Sequence, residues 1–337
     1  MADMTPITYA AGAYTAAQAE RPRPEENRQS QRFRLVTRGQ RLPRRQPTRD
    51  LAPLARGLQM IPPKQLRDIE RQPDHTPRPH DRAQHPLRMD EECLRYTSQT
   101  KRNFFFGVIR GLGMVGFFLF LATGVLIQVG LFIASWSDDR IGADHFIMMG
   151  QVIGIGCSVS LMAWGGANLI YRLFPNFAAG WQPGPLWELN RRTGQVTVFT
   201  TPVRHGNAWQ VAHVLPFHEF DCYLQSTPSH QGLPQFNLIL AHYSREAHVA
   251  LVGMFGASSR IEQQAAWDML QRYMDTSQPL PDLPVFEMYR ELDPTTLTHD
   301  RRSGRDPRYW RDMDDATFRR KMDEHQQVLS TAYRGLI

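Results

Sequence analysis

Two long uncharged runs constrain what this chain can fold into. Residues 111–135 and 146–171 contain 25 and 26 consecutive residues without a formal charge. A helix needs about 20 apolar residues to cross a hydrocarbon core of about 30 Å, and both runs exceed that length. The sequence therefore predicts two transmembrane helices, over residues 103–135 and 146–174.

The segment between the runs and the charges outside them predict an orientation. Residues 136–145 form a short connection with three aspartates and one arginine, so the two helices must be antiparallel. At the opposite ends the sequence is basic, with Arg95, Lys101, Arg102, Arg110, Arg172, Arg191 and Arg192. Because basic residues are enriched on the cytoplasmic side, we predict a multi-pass protein of the bacterial cytoplasmic (inner) membrane, with an external loop and both termini cytoplasmic.

Glycines recur inside both runs. The first three match the GxGxxG pattern of dinucleotide sites, but that chemistry requires a strand, a tight turn and an amphipathic helix, and the residues after Gly116 are apolar on every side. We therefore expect no cofactor and assign the glycines to close helix packing, within the hairpin or between copies of the protein. The predicted packing residues are Gly111, Gly113, Gly116, Gly150, Gly154 and Gly156.

The first 100 residues form a basic, proline-rich arm. Residues 1–102 contain 20 Lys and Arg against 12 Asp and Glu, while the whole chain has a net charge of +6. Such a segment buries too little apolar surface to offset its ordering entropy, so we predict disorder apart from a weak helix at 63–71. Four arginines are predicted either to stay solvated or to contact anionic lipid headgroups, with nucleic acid the least favoured partner. They are Arg41, Arg44, Arg45 and Arg49.

From residue 180 the pattern changes to that of an α+β domain. Alternating apolar residues predict two short strands within 186–199, around a turn that contains Gly194. Further strand candidates cover 209–215, 217–225, 236–243 and 248–254, and an amphipathic helix follows over 261–274. This order predicts a cytoplasmic α+β domain over residues 180–290, in which the helix closes an antiparallel sheet.

These residues carry a resemblance to known families. The hairpin WELNRRTGQVTVF, the strand entered through Pro216 and Phe217, the paired meander and the terminal helix resemble membrane-anchored bacterial pleckstrin-homology-like domains, in which the domain follows a two-helix hairpin. The motifs at 280–284, 293–300 and 307–310 are similar to an uncharacterised bacterial family of two-span membrane proteins associated with type VI secretion and toxin–immunity loci. The resemblance covers about residues 100–315, implies a pleckstrin-homology-like sheet, and defines no catalytic residues.

Residues 291–337 combine a basic-aromatic segment with a predicted helix at 316–333. Basic residues interleaved with aromatics dock to membrane surfaces, phosphates or partner proteins. The alternative is that this segment wraps around its own domain, with Trp310 filling a groove. The residues concerned, which we call the basic-aromatic segment, are Arg305, Arg308, Tyr309, Trp310 and Arg311.

The search for catalytic chemistry gives no constellation. His218 and Glu219 begin like a zinc-protease motif, but Cys222 stands where the second histidine is required. The three cysteines are too far apart in sequence for a CxxC pair. We therefore predict no catalytic residues and no bound metal.

Together these features favour a non-enzymatic inner-membrane anchor that presents a cytoplasmic binding domain. Its expected partners are membrane lipids and either another protein or a second copy bound through the transmembrane helices. The family resemblance implies an accessory or immunity role in a type VI secretion or toxin system. Three alternatives stay open, namely a pore-forming effector whose glycine-rich hairpin oligomerises, a lipid-headgroup sensor, and a membrane enzyme with an unrecognised site.

Overall fold

The chain folds into two units in a computed structural model. Residues 98–182 form the first, which we call the hairpin unit. Residues 1–97 and 183–337 together form the second, which we call the sheet unit. The structure describes residues 8–19, 39–44, 61–72, 79–136, 142–178, 180, 182–200, 209–228, 233–251 and 259–332.

The sheet unit contains two antiparallel sheets. One has five strands in the order β2-β3-β4-β5-β6, and the other has four in the order β1-β7-β8-β9. The strands are β1 (Gln40–Leu42), β2 (Arg88–Met89), β3 (Cys93–Tyr96), β4 (Trp187–Asn190), β5 (Gln195–Phe199), β6 (Val211–Pro216), β7 (Phe220–Pro228), β8 (Pro234–His242) and β9 (His248–Ala250). A single 3-10 turn, Phe217–Glu219, leads from the first sheet into the second.

Nine α-helices lie in the described parts of the chain. They are α1 (Ala16–Ala19), α2 (Pro63–Glu70), α3 (Pro79–Gln84), α4 (Lys101–Ala134), α5 (Ala143–Leu173), α6 (Pro175–Ala178), α7 (Arg260–Met274), α8 (Pro294–Ser303) and α9 (Asp315–Ala332). A longer 3-10 segment, Pro284–Leu292, precedes α8. The amphipathic helix predicted at 261–274 is confirmed as α7, whose Trp267, Leu270 and Tyr273 are buried in the core of the sheet unit.

The predicted strand pair at 186–199 is confirmed as β4 and β5. In β4, Trp187 and Leu189 are buried while Glu188 is partly exposed, the alternation expected of a half-buried strand. Gly194 in the turn has φ of 70°, in the left-handed region. A Cβ there would lie 2.5 Å from the backbone nitrogen of Tyr14, so the turn requires glycine for its conformation and for the close approach of the arm.

Of the nine strands in the described parts of the chain, three lie in the arm that is predicted to be disordered. β3 pairs with β4 along its whole length, from Cys93 opposite Asn190 to Tyr96 opposite Trp187. The prediction of disorder over 1–100 is therefore wrong for the described parts of the arm, and the rest of the arm lies outside the described residues. The domain boundary predicted at 180 is wrong for the same reason, because strands that precede the hairpin complete both sheets.

An ion pair joins the arm to the β4–β5 turn within the sheet unit. Arg192 in that turn contacts Glu91 of the arm at 3.0 Å. Inside the arm, Arg82 contacts Glu91 at 2.9 Å and Arg88 contacts Asp90 at 2.8 Å, with all four side chains at most 10% exposed. The pair between Arg192 and Glu91 joins segments far apart in sequence, so apolar patterning does not reveal it.

One fully buried ion pair joins the β4–β5 turn to the C-terminal part of the sheet unit. The Arg191 guanidinium donates to Asp293 at 2.9 Å, and both side chains are at most 1% exposed. Its remaining N–H groups donate to the backbone oxygens of Tyr273, Asp275 and Gln278. Burial acts to raise the pKa of Asp293, but the charge and hydrogen bonds of Arg191 outweigh it and hold this pKa below its usual range.

We predict that Arg191→Ala destabilises the sheet unit by about 3–5 kcal/mol, because it leaves a buried carboxylate unpaired. Arg192→Ala is the matched control, since the Arg192 side chain is 23% exposed and its partner Glu91 keeps the ion pair with Arg82. Chemical unfolding of the full chain in detergent measures both. Equal losses of stability would contradict the assignment.

The pH dependence of this pair has a definite sign. Because the folded pKa of Asp293 is lowered, its stabilisation is present above the unfolded pKa of about 4 and is lost as pH falls through the folded value. We expect the difference in unfolding free energy between wild type and Arg191→Ala to shrink below about pH 4. The same titration of Arg192→Ala serves as the reference.

Candidate functional site

Apolar side chains cover the outside of the hairpin unit. α4 and α5 contain 34 and 31 residues, and their most apolar windows have mean hydropathies of 2.4 and 1.8 with 6% and 0% of the residues buried. Both are long and apolar enough to cross a membrane. Soluble proteins rarely expose apolar patches above a few hundred Å², so these two helices form the first candidate functional site of the chain.

Small residues let α4 and α5 approach each other closely. A Cβ on Gly113 would lie 2.6 Å from the backbone nitrogen of Trp164, and one on Gly116 would lie 2.8 Å from Ser160 Oγ. Gly156 is covered by the ring of Phe120, whose nearest atom would be 2.7 Å away. At Gly113 a larger side chain would push against the backbone of α5, whereas at Gly116 and Gly156 the facing side chains of Ser160 and Phe120 would have to shift.

The other predicted glycines pack less tightly or not at all. Gly150 has Gln128 Nε2 3.6 Å from its Cβ position, which is an ordinary contact. Gly111 and Gly154 have no described atom within 4 Å of theirs, so neither contacts the opposite helix. Conversely, a Cβ on Gly124 would lie 2.5 Å from Ile153 Cγ2, so this glycine, which is not among the predicted packing residues, also packs against α5.

Polar and basic residues fasten the open end of the hairpin. The Tyr171 hydroxyl near the end of α5 donates to Asn103 Oδ1 at 2.9 Å, near the start of α4. Arg110 lies over the Tyr171 ring and Arg102 over the Phe177 ring, at 5.8 and 4.7 Å. The basic residues on either side of the two apolar runs therefore lie at one end of the unit, as the antiparallel arrangement requires.

We predict that Gly113→Ala weakens the packing of α4 against α5 by about 1–3 kcal/mol, because the added methyl group clashes with the backbone of α5. Gly111→Ala is the matched control on the same helix, and it shares the gain in helix propensity without the clash. Unfolding in mixed detergent micelles, followed by circular dichroism, measures both. A loss of stability in Gly111→Ala as large as that in Gly113→Ala would refute this packing.

The basic-aromatic segment lies against its own domain at two of its five residues. Trp310 is buried, and its indole N–H donates to Asp282 at 2.9 Å. Arg305 donates to Asp282 at 2.8 Å and to Glu287 at 2.7 Å. The alternative that Trp310 fills a groove of its own domain is thus confirmed, and neither Trp310 nor Arg305 faces outward for a membrane or a partner.

The remaining residues of this segment take part in surface ion pairs. Arg308 and Arg311 both contact Glu70 of α2, and Arg308 also contacts Asp312 at 3.0 Å. Tyr309 packs against the same small cluster as Trp310. These contacts neutralise much of the charge that suggested an anionic partner. At Asp282, burial acts to raise the pKa, but hydrogen bonds from Arg305 and the charge of Arg290 lower it overall.

One group of side chains has the composition of a catalytic triad. His242 Nε2 lies 2.7 Å from Glu219, and Ser244 Oγ lies 3.4 Å from His242 Nδ1. However, Nδ1 already accepts the backbone N–H groups of Ser244 and Arg245 at 3.1 and 3.0 Å. A ring nitrogen so occupied is not placed to deprotonate the hydroxyl, so we assign this histidine to shaping the β8–β9 turn.

The residues considered for metal binding do not converge. Across the described part of the chain, no group of three or more His, Cys, Asp or Glu is placed to hold a metal ion. Burial raises the pKa of the Cys93 and Cys222 thiols well above the usual value, which disfavours the thiolate. Both cysteines therefore pack as small apolar residues.

Comparison with known proteins gives no match. No family model matches the chain, and no curated protein and no solved structure matches it. Its functional assignment therefore rests on the hairpin and the sheet unit themselves.

Proposed function

We propose that this chain is a non-enzymatic membrane protein whose hairpin anchors a binding domain at the cytoplasmic face of the bacterial inner membrane. One observation carries the proposal: the two apolar helices lie in the sequence between β3 and β4, which are neighbouring strands of one sheet. An accessory or immunity role in a type VI secretion or toxin system is the specific form of the proposal, and only the family resemblance supports it.

The strand pairing constrains how the chain crosses a membrane. Paired strands lie on the same side of a bilayer, because an open sheet edge is not tolerated in hydrocarbon. The chain that enters α4 and the chain that leaves α5 therefore start and finish on one side, which two spans satisfy and one or three do not. Lys101, Arg102 and Arg172 lie on that side of the apolar helices, which favours the cytoplasmic face.

The strand order supports the resemblance to pleckstrin-homology-like domains. β3 to β6 follow one another in one sheet, β7 to β9 follow one another in the next, and α7 comes directly after. The strand pair around Gly194, the strand after Pro216 and the closing helix agree with the resemblance, whereas the hairpin lies between two strands of the sheet and does not precede the whole domain. Such a domain is a scaffold for binding, which agrees with a partner-binding role.

The use of ionisable groups also supports a binding role over catalysis. The most buried charged side chains, such as Arg191, Asp293 and Glu91, are held in internal pairs. His242 is fixed by main-chain donors. Groups held in this way stabilise the folded sheet unit, and they are not arranged around a common substrate position.

Cysteine accessibility tests the anchoring. In a Cys157→Ala parent the two native thiols that remain are buried. We predict that Gly142→Cys reacts with a membrane-impermeant maleimide in intact spheroplasts, whereas Ser303→Cys and Ala83→Cys react only after lysis. Labelling of Ala83→Cys and Ser303→Cys from opposite sides would contradict the sheet pairing. Labelling of both in intact cells would place the domain outside and reject the cytoplasmic assignment.

A further inference from the structure

A short strand of the arm fills the groove between β7 and α7. β1 runs antiparallel to β7, with Gln40 opposite Leu224 and Leu42 opposite Cys222. Just before it, a Cβ on Gly39 would lie 3.2 Å from the Leu224 backbone oxygen, so the chain lies very close to β7 at this point. The arm therefore binds here by adding an edge strand, a recognition mode in which main-chain hydrogen bonds supply affinity.

The side chains around β1 are held in separate pockets. Leu42 is buried among the core residues, and the indole N–H of Trp267 in α7 donates to the Pro43 oxygen at 2.9 Å. Arg41 contacts Asp221 at 2.9 Å, where the carboxylate is only 6% exposed. Each pocket accepts one side chain of an extended segment, which gives selectivity in this mode of recognition.

Arg44 makes contacts with both aromatic rings and main-chain oxygens. Its guanidinium lies 4.7 Å from the centre of the Phe217 ring and within 5.6 Å of the ring centres of Tyr14 and Trp267. It also donates to the backbone oxygens of Phe217 and Phe220, each at 2.6 Å. Three aromatic faces and two carbonyl oxygens form a receptor suited to the flat, five-donor head of arginine and poorly suited to lysine.

Within the described residues, β1 pairs with only part of the edge of β7. β7 contains nine residues, and β1 pairs with only three of them, Cys222 to Leu224. No described strand covers the same edge along Gln225, Ser226 and Thr227. A longer extended segment with the same side chains would make more main-chain hydrogen bonds than β1 does. It would therefore compete with β1 for the groove.

We propose that the groove between β7 and α7 is a docking site for an extended, arginine-containing segment of a partner protein, and that residues 39–44 occupy it as an internal ligand. The partner segment carries an apolar residue followed two positions later by arginine, as Leu42 and Arg44 do in the arm. Binding displaces β1 and frees the arm. This inference rests on the proposed partner-binding function and names its site.

Peptide binding to the full chain in detergent tests the proposal. The probe is a fluorescent peptide with the sequence of residues 37–46, TRGQRLPRRQ, and the matched control peptide has alanine in place of the arginine that corresponds to Arg44. Two protein variants weaken the internal ligand, Arg44→Ala through the aromatic pocket and Gly39→Val through the approach to β7. We expect both to bind the probe at least about tenfold more tightly than wild type does, with the control peptide bound weakly throughout.

Each outcome decides the matter. Adding Asp221→Asn to Arg44→Ala should weaken binding of the probe, because the pocket for the arginine that corresponds to Arg41 loses its charge. Equal affinity for probe and control, or no binding by folded variants, would overturn the proposal. If neither variant folds by circular dichroism, β1 is an integral strand and the proposal is wrong. If any of these failures occurs while the cysteine labelling gives the expected result, the proposed membrane anchor is retained and only the docking site is rejected.

Discussion

The pairing of β3 with β4 is the constraint on which the rest of the structure depends. Residues 97–186 separate these neighbouring strands, and closing so long a loop costs entropy. The hairpin unit reduces that cost, because its own ends already meet: the Gln182 N–H donates to the Ser98 oxygen at 2.9 Å and Thr100 N–H to the Gly180 oxygen at 3.1 Å. Packing of α4 against α5 therefore lowers the entropy cost of pairing β3 with β4. The glycines at the contact between these helices thus contribute to the stability of the sheet unit, although they lie in the hairpin unit.

Arginine supplies most of the specific contacts in the sheet unit. Of the 39 Lys and Arg residues only three are lysine, and the composition first indicated an outward-facing basic surface. Instead, Arg44, Arg88 and Arg191 point inward, where a planar fork can pair with carboxylates, bind carbonyl oxygens and stack on rings at the same time. Among the described residues of the arm, Arg44 and Arg88 thus attach or order an otherwise polar segment in a folded domain.

Sequence patterns predicted the elements whose main contacts are with residues close to them in the sequence. The period of two around Gly194 gave β4 and β5, and the helix predicted at 316–333 is α9 within one residue at each end. The same reasoning missed β1 to β3, because their partners lie far away in the chain and their apolar residues are few. It also chose Gly111 and Gly154 as packing residues, since spacing along a helix does not reveal which side faces the neighbouring helix.

The position of β1 also bears on the proposed anchoring in a membrane. Copies anchored as proposed would meet at a high local concentration in one membrane plane, and an uncovered β7 would offer its unpaired N–H and C=O groups to another copy. β1 covers part of that edge. β1 is itself a poor template, because it is three residues long, carries Arg41 and is followed by Pro43, which lacks an N–H. Within the described residues β1 covers three positions of this edge, and a longer matching strand would add main-chain hydrogen bonds beyond them.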